Sequence, residues 1–179
     1  MKRDDTSVGK TIAIVLNGAS SSGKTSIARA IQHLSVTPVL HASLDTFTDM
    51  FHWAAIPDEE QKRSCHRAGV ANFHRALPIL AGCGFPVVID HVFEESQWYL
   101  DCIEALKGTE THLIGVRCPL SELERRERTR PDRRGGLARF QIDRVHEGKV
   151  YALEVDTSID SVDVCAEKVL ARAGLPTRG

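Results

Sequence analysis

The run Thr11-Ile-Ala-Ile-Val-Leu16 leads into Gly18-Ala-Ser-Ser-Ser-Gly-Lys-Thr25, and then into a stretch with Ile27, Ile31 and Leu34 on one helical face. This order of buried strand, glycine-bounded loop and amphipathic helix constrains the chain more than any other feature it has. The octet fits the pattern G-x-x-x-x-G-K-[ST], in the strand-to-helix setting that the pattern requires. Small residues let backbone N–H groups wrap a phosphate, and the helix N-terminus adds partial positive charge. Gly18, Ala19, Ser20, Ser21, Ser22, Gly23, Lys24, Thr25 and Ser26 are therefore expected to bind a nucleotide, ATP, with Lys24 reaching its β- and γ-phosphates. Thr25 would offer a hydroxyl to Mg²⁺. The plainer alternative is a Ser/Gly-rich turn that only caps a helix.

The rest of the chain continues the alternation. Strands are expected at 38–44, 85–90, 111–117 and 151–155, and helices at 24–34, 61–81, 96–106, 137–145 and 161–173. Pro78 should kink or shorten the second of these helices, and Ser96 suits the N-cap of the third. Strands alternating with helices imply an α/β fold, a parallel sheet with helices on both faces. Ligands of such sheets bind beyond the carboxyl ends of the strands. The loop 18–25, Asp45, Asp90 and Asp156-Thr-Ser158 are all expected there.

With 179 residues the chain is expected to form one domain over 1–179. Its 23 basic and 24 acidic residues balance to −1, which argues against nucleic acid as a partner. No run approaches the ~18 apolar residues of a membrane span, and the polar start lacks the apolar core of a secretory signal. Five scattered cysteines read as reduced thiols. Together these point to the cytoplasm, with no membrane partner.

Two carboxylates carry candidate chemistry. Asp45 is expected to end the second strand, opposite the γ-phosphate, where it could accept or orient the proton of an attacking hydroxyl; a turn or helix-capping Asp is the alternative. Asp90 ends the apolar run Val87-Val-Ile89 and could serve Mg²⁺ or hydrogen-bond an acceptor. Residues 124–135 carry six arginines. Arg125 and Arg128 suit solvated ion pairs. Arg130, Arg133 and Arg134 flank Pro131 and precede two glycines, the composition of a basic lid near 125–136 that would close over phosphates and exclude water. Phe47, Phe51, Trp53 and Phe93 could line an apolar acceptor pocket with Asp45 and Asp90, or could simply be core.

A GTPase would need N-K-x-D, which the chain lacks, and a large mechanical ATPase would need more chain. The size fits a small kinase. No arginine lies between Asp45 and Pro57 to hold an acceptor phosphate, which disfavours a nucleoside monophosphate kinase.

The loop 18–25 with Asp45 downstream resembles the chloramphenicol phosphotransferase-like proteins. So do Arg128-Thr-Arg-Pro-Asp-Arg133, Gly136-Leu-Ala-Arg139, and Arg144-Val-His-Glu-Gly148 leading into Tyr151-Ala-Leu-Glu-Val-Asp-Thr-Ser158. The resemblance runs from about Thr11 to Leu170. It implies a three-layer P-loop kinase fold like that of shikimate and adenylate kinases, with a five-stranded parallel sheet. It further implies an ATP-dependent phosphotransferase acting on an alcohol, with chloramphenicol the name-giving acceptor. On this resemblance Asp45 is the base, Lys24 and Thr25 serve phosphate and Mg²⁺, and Arg130 and Arg133 supply lid charge. The expected partner is a small aromatic or amphipathic hydroxyl acceptor. The alternatives are a kinase for another natural product, nucleoside or sugar acid, and a nucleotide-binding switch of toxin type.

Overall fold

In the computed structural model, which describes residues 11–129 and 136–178, β1 (Ile12–Asn17) is buried from Ala13 onward. It lies at the centre of a five-stranded sheet of order β2-β3-β1-β4-β5, every neighbouring pair parallel. The other strands are β2 (Leu40–Ser43), β3 (Val87–His91), β4 (Glu110–Arg117) and β5 (Leu153–Asp156). A central strand needs apolar residues on both faces, and β1 supplies them alternately. Ile14 and Leu16 face a core with Ile27, Ile31, Val169 and Leu170 of α1 (Lys24–Leu34) and α7 (Val162–Arg172). Ala13 and Val15 face the opposite core, with Phe73 and Leu77 of α3 (Glu59–Ala81) and Trp98 and Cys102 of α4 (Ser96–Ala105). The expected layers, helix–sheet–helix, are those observed.

β1 pairs with β3 on one side and β4 on the other, in register Leu16↔Asp90 and Leu16↔Ile114. This is where the order of strands reverses along the chain, the place at which open parallel sheets hold ligands. A small third core of Ala19, Cys118, Leu123, Ala138 and Val145 packs α5 (Leu120–Arg128) and α6 (Leu137–Gln141) beside the loop after β1.

Five expectations need correction. Asp45 does not end β2: the strand stops at Ser43 and Asp45 is the second residue of a short helix, α2 (Leu44–Thr48). Pro78 does not interrupt α3, which runs on to Ala81. It sits one turn from the end, where Leu77 and Ala81 are still buried against the sheet, and packing outweighs one lost backbone bond. α3 also starts two residues early because Asp58 caps it, accepting from the N–H groups of Glu60 and Gln61. Ser96 opens α4 but does not cap it; Glu95 holds that position with no side-chain bond. The helix expected over 137–145 ends at Gln141 and continues only as turns. All five cysteines are free thiols, and among the described residues no helix is long and apolar enough to cross a membrane.

Candidate active site

The loop after β1 is shaped for an anion. Gly18 packs so close to β4 that a Cβ there would meet the Val116 carbonyl at 2.4 Å. Ser21 and Gly23 both take left-handed backbone conformations, at φ 64 and 94. For Ser21 this costs roughly 1–2 kcal/mol, and successive turns of this kind aim N–H groups into one concavity. The Ser21 and Ser22 hydroxyls are buried without a hydrogen-bond partner, as suits groups that meet phosphate oxygens. Lys24 is buried, its Nζ donating to the carbonyls of Gly18 and Ala19 at 2.9 Å each.

Thr25 opens α1 and donates from Oγ1 to Asp90 Oδ2 at 2.6 Å. Asp90 is the fourth residue of β3 and nearly fully buried. Burial alone would raise its pKa. The His41 ring 3.8 Å away, the Lys24 ammonium and the Thr25 hydroxyl outweigh that and hold it below the usual carboxylate range. A hydroxyl and an ionised carboxylate side by side make a hard-oxygen donor set of the kind Mg²⁺ takes.

Asp45 comes to the same place by another route. From the first turn of α2 it lines a cavity of about 30 Å³ together with Ser21, Gly23, Lys24, Thr25, Ser26, Leu44, Asp90 and Val92. Elements after β1, β2 and β3 thus meet around one small polar cleft.

Arginine does enter this end of the molecule, though not at a position singled out in the sequence. Arg126 of α5 donates from Nη1 and Nη2 to Thr157 Oγ1 and O, each at 2.9 Å. Thr157 Oγ1 in turn donates to the Ser22 carbonyl at 2.9 Å. With Ser21, Gly23, Ser26, Thr129 and Val162 they border a second space, about 280 Å³, on the other side of the loop. Arg125 instead pairs with Glu122 on the helix surface. Arg130, Arg133 and Arg134 lie outside the described residues. The signal for Arg126 was its i,i+4 partner Glu122; its bond to Thr157 is tertiary and leaves no mark in local sequence.

Further polar groups brace the loop from beneath. Ser20 donates its N–H to Gln141 Oε1 at 2.6 Å, and Gln141 Nε2 donates to Glu94. Asn17, buried at the end of β1, donates from Nδ2 to the Val145 carbonyl and the Tyr151 hydroxyl, and accepts from the Phe93 N–H. An asparagine closing an apolar run was the one visible hint.

The aromatic candidates separate. Phe93 is fully buried, stacked on His91 with ring centroids 4.3 Å apart and edge-on to Tyr99. Its ring belongs to the packing behind β3 rather than to a cavity wall. Phe47 packs on Phe73 at 5.6 Å, against the same core. Phe51 packs against Trp53 with the rings tilted and their centroids 5.6 Å apart, and Trp53 borders an open groove of about 660 Å³ with Trp98 and the start of α3.

Comparison with known proteins gives the chain a family and its fold solved relatives. The profile of a family described as chloramphenicol phosphotransferase-like protein matches residues 11–173. A Mycobacterium tuberculosis protein provisionally named an O-phosphotransferase is 27% identical over 183 residues, covering 87% of this chain and 79% of its own. The tunicamycin resistance protein of Deinococcus radiodurans superposes with a TM-score of 0.72 at 16% identity, over 95% of this chain and 99% of that one. The APS kinase of M. tuberculosis does so with 0.67 at 16% identity, over 91% and 97%. These two share the fold.

Proposed function

From a chain that belongs to the chloramphenicol phosphotransferase-like family and carries this cleft, we propose transfer of the γ-phosphoryl group of ATP to the hydroxyl of a small-molecule alcohol. The observation that carries the reading is the meeting of Asp45, Lys24, Thr25 and Asp90 in one cavity. A phosphate loop alone binds nucleotide; a carboxylate facing it from a different element gives an acceptor hydroxyl something to lean on.

The chain's residues divide the work. The loop amides of 18–23 and the Ser21 and Ser22 hydroxyls grip the phosphates. Lys24 leaves its carbonyl partners for the β- and γ-phosphate oxygens and spreads the charge that builds as the terminal bond loosens. Thr25 and Asp90 would hold Mg²⁺, which when bound would supply positive charge to offset that of the phosphates. Asp45 orients the acceptor hydroxyl in line with the γ-phosphorus. As the new O–P bond forms and the bond to the bridging oxygen breaks, the hydroxyl proton passes to the Asp45 carboxylate and ADP departs. Arg126 steadies the loop through Thr157. An ATP-consuming enzyme with free thiols suits the cytoplasm.

The test measures ADP release and the mass of the product with purified protein, MgATP and a panel of alcohols headed by chloramphenicol, then nucleosides and sugar acids. A product heavier by one phosphoryl group is expected. Asp45→Asn should cut transfer at least a hundredfold, in line with loss of an acid–base group, and still bind ATP. Lys24→Ala should cut it comparably by removing transition-state charge. Full turnover in Asp45→Asn would overturn the mechanism. ATP binding with no transfer to any alcohol would point to the switch reading.

A further inference from the structure

The chain has two tryptophans, and both border the same groove. Trp53 comes from the turn after α2, and Trp98 from the first turns of α4. The facing wall is α3, where Arg63 and Arg67 stand one helical turn apart on the groove side. Two guanidiniums at i,i+4 repel each other. Among the described residues neither has an ion-pair partner within 4 Å, whereas the neighbouring Lys62 is matched by Glu59 at 2.7 Å. Glu95 is the one further carboxylate on the wall. His66 completes the aromatic side, its ring 5.7 Å from that of Trp98.

The groove also adjoins the cleft along the chain. Leu44 and Asp45 of the cleft precede Trp53, and Val92 of the cleft precedes Glu95 and Trp98. Both cavities therefore open from the connections after β2 and β3, the acceptor side of the reaction proposed above.

Resting on that reading, we propose that the groove selects the acceptor, and that this acceptor is an alcohol with a flat ring and an anionic group, a carboxylate or a phosphate ester. The ring lies between the tryptophans, where planar surfaces stack well. The anion meets Arg63 and Arg67, whose forked donors match carboxylate and phosphate oxygens. The absence of arginine between 45 and 57 does not exclude such an acceptor, because the charge is supplied from α3.

Because both tryptophans border the groove, intrinsic fluorescence reports its occupancy without any transfer. Two matched pairs are titrated: 4-(hydroxymethyl)benzoate against its uncharged methyl ester, and uridine 5′-monophosphate against uridine. The anionic member of at least one pair should bind at least tenfold more tightly than its neutral partner, and the pair that responds tells carboxylate from phosphate. The double variant Arg63→Ala/Arg67→Ala should erase that gap by weakening the anion alone. Equal affinity within both pairs, a gap that survives the double variant, or no response from the tryptophans would overturn the proposal. Asp45→Asn separates the two readings, since it should cut transfer at least a hundredfold while the gap between charged and neutral members persists in the fluorescence titration. Anion-selective binding with no transfer by the unaltered protein would sink the kinase reading and leave the groove assignment standing. Transfer at equal rates to charged and neutral alcohols would do the reverse.

Discussion

His91 follows Asp90 on β3 and is fully buried. Its Nε2 lies 2.8 Å from that of His74 on α3, with the rings stacked at 5.0 Å. One ring must donate and the other accept, which requires at least one neutral imidazole. Burial, and then the His74 ring, push the pKa of His91 down to about 3. Burial lowers His74 as well and brings His146 down to about 4. In the unfolded chain each would titrate near ~6.5. Between that value and the folded pKa the unfolded state holds the extra proton, so stability is complete above about pH 6.5 and falls as the solution is acidified. Each histidine contributes a slope of about 1.4 kcal/mol per pH unit in that window. Urea titrations from pH 7 to 4 should show it, and His91→Phe, which keeps a ring between Phe73 and Phe93, should flatten the slope by about one proton. An unchanged slope would mean that the pair does not titrate on unfolding. Asp90 works in the same sense as the buried histidines but at lower pH, its share of stability being present above the ordinary carboxylate range and lost as the solution is acidified below it.

Among the elements, α5 and α6 are clasped by one buried polar side chain as well as by the small core they share. Glu127, near the end of α5, accepts from the N–H groups of Gly136 and Ala138 at 3.1 and 2.7 Å. Those bonds satisfy two donors at the start of α6. Glu127→Ala should lower unfolding free energy by about 2–3 kcal/mol, since it leaves those donors without an acceptor. Glu127→Gln, with one amide oxygen left, should lose less. Denaturant midpoints and hydrogen exchange at Gly136 and Ala138 would check both, and equal stability of the Ala variant would remove the clasp. Elements were also where local sequence was easiest and hardest to read. α1 is visible in full because its motif, its Ile27–Ile31 spacing and its end at Leu34 all agree. The end of β2 is not, because Ser43-Leu-Asp-Thr passes from strand to helix with no glycine or proline between. Pro78 misled for a different reason: a local rule predicts a break, and burial of Leu77 and Ala81 overrides it.

At the scale of the whole molecule, the phosphate loop is braced by residues far away along the chain. Ser22 and Thr157 are separated by 135 positions, and Ser20 and Gln141 by 121. The loop itself was legible because its chemistry is written in eight consecutive residues. Arg126, Thr157 and Gln141 were not, because their partners are brought near only by the sheet. MgATP at about 100 times its dissociation constant should stabilise the protein by roughly 2.7 kcal/mol, an increase in Tm of about 5–11 °C. Thr157→Val removes the hydroxyl that ties Ser22 to Arg126. It should weaken ATP about tenfold, so that the same MgATP concentration raises Tm by some 3–6 °C less. A full shift in that variant would show that the loop holds its shape alone.

The central position of β1 also has a cost in time. Its neighbours β3 and β4 begin at Val87 and Glu110. On a ribosome adding ~5–20 residues per second, the most apolar strand of the molecule waits roughly 4–15 s before its first partner has been made. During that interval Ile12–Asn17 is a bare strand with two open edges, available to any other chain that offers one. The strand that seats the phosphate loop is thus the segment of the newborn chain most in need of a chaperone.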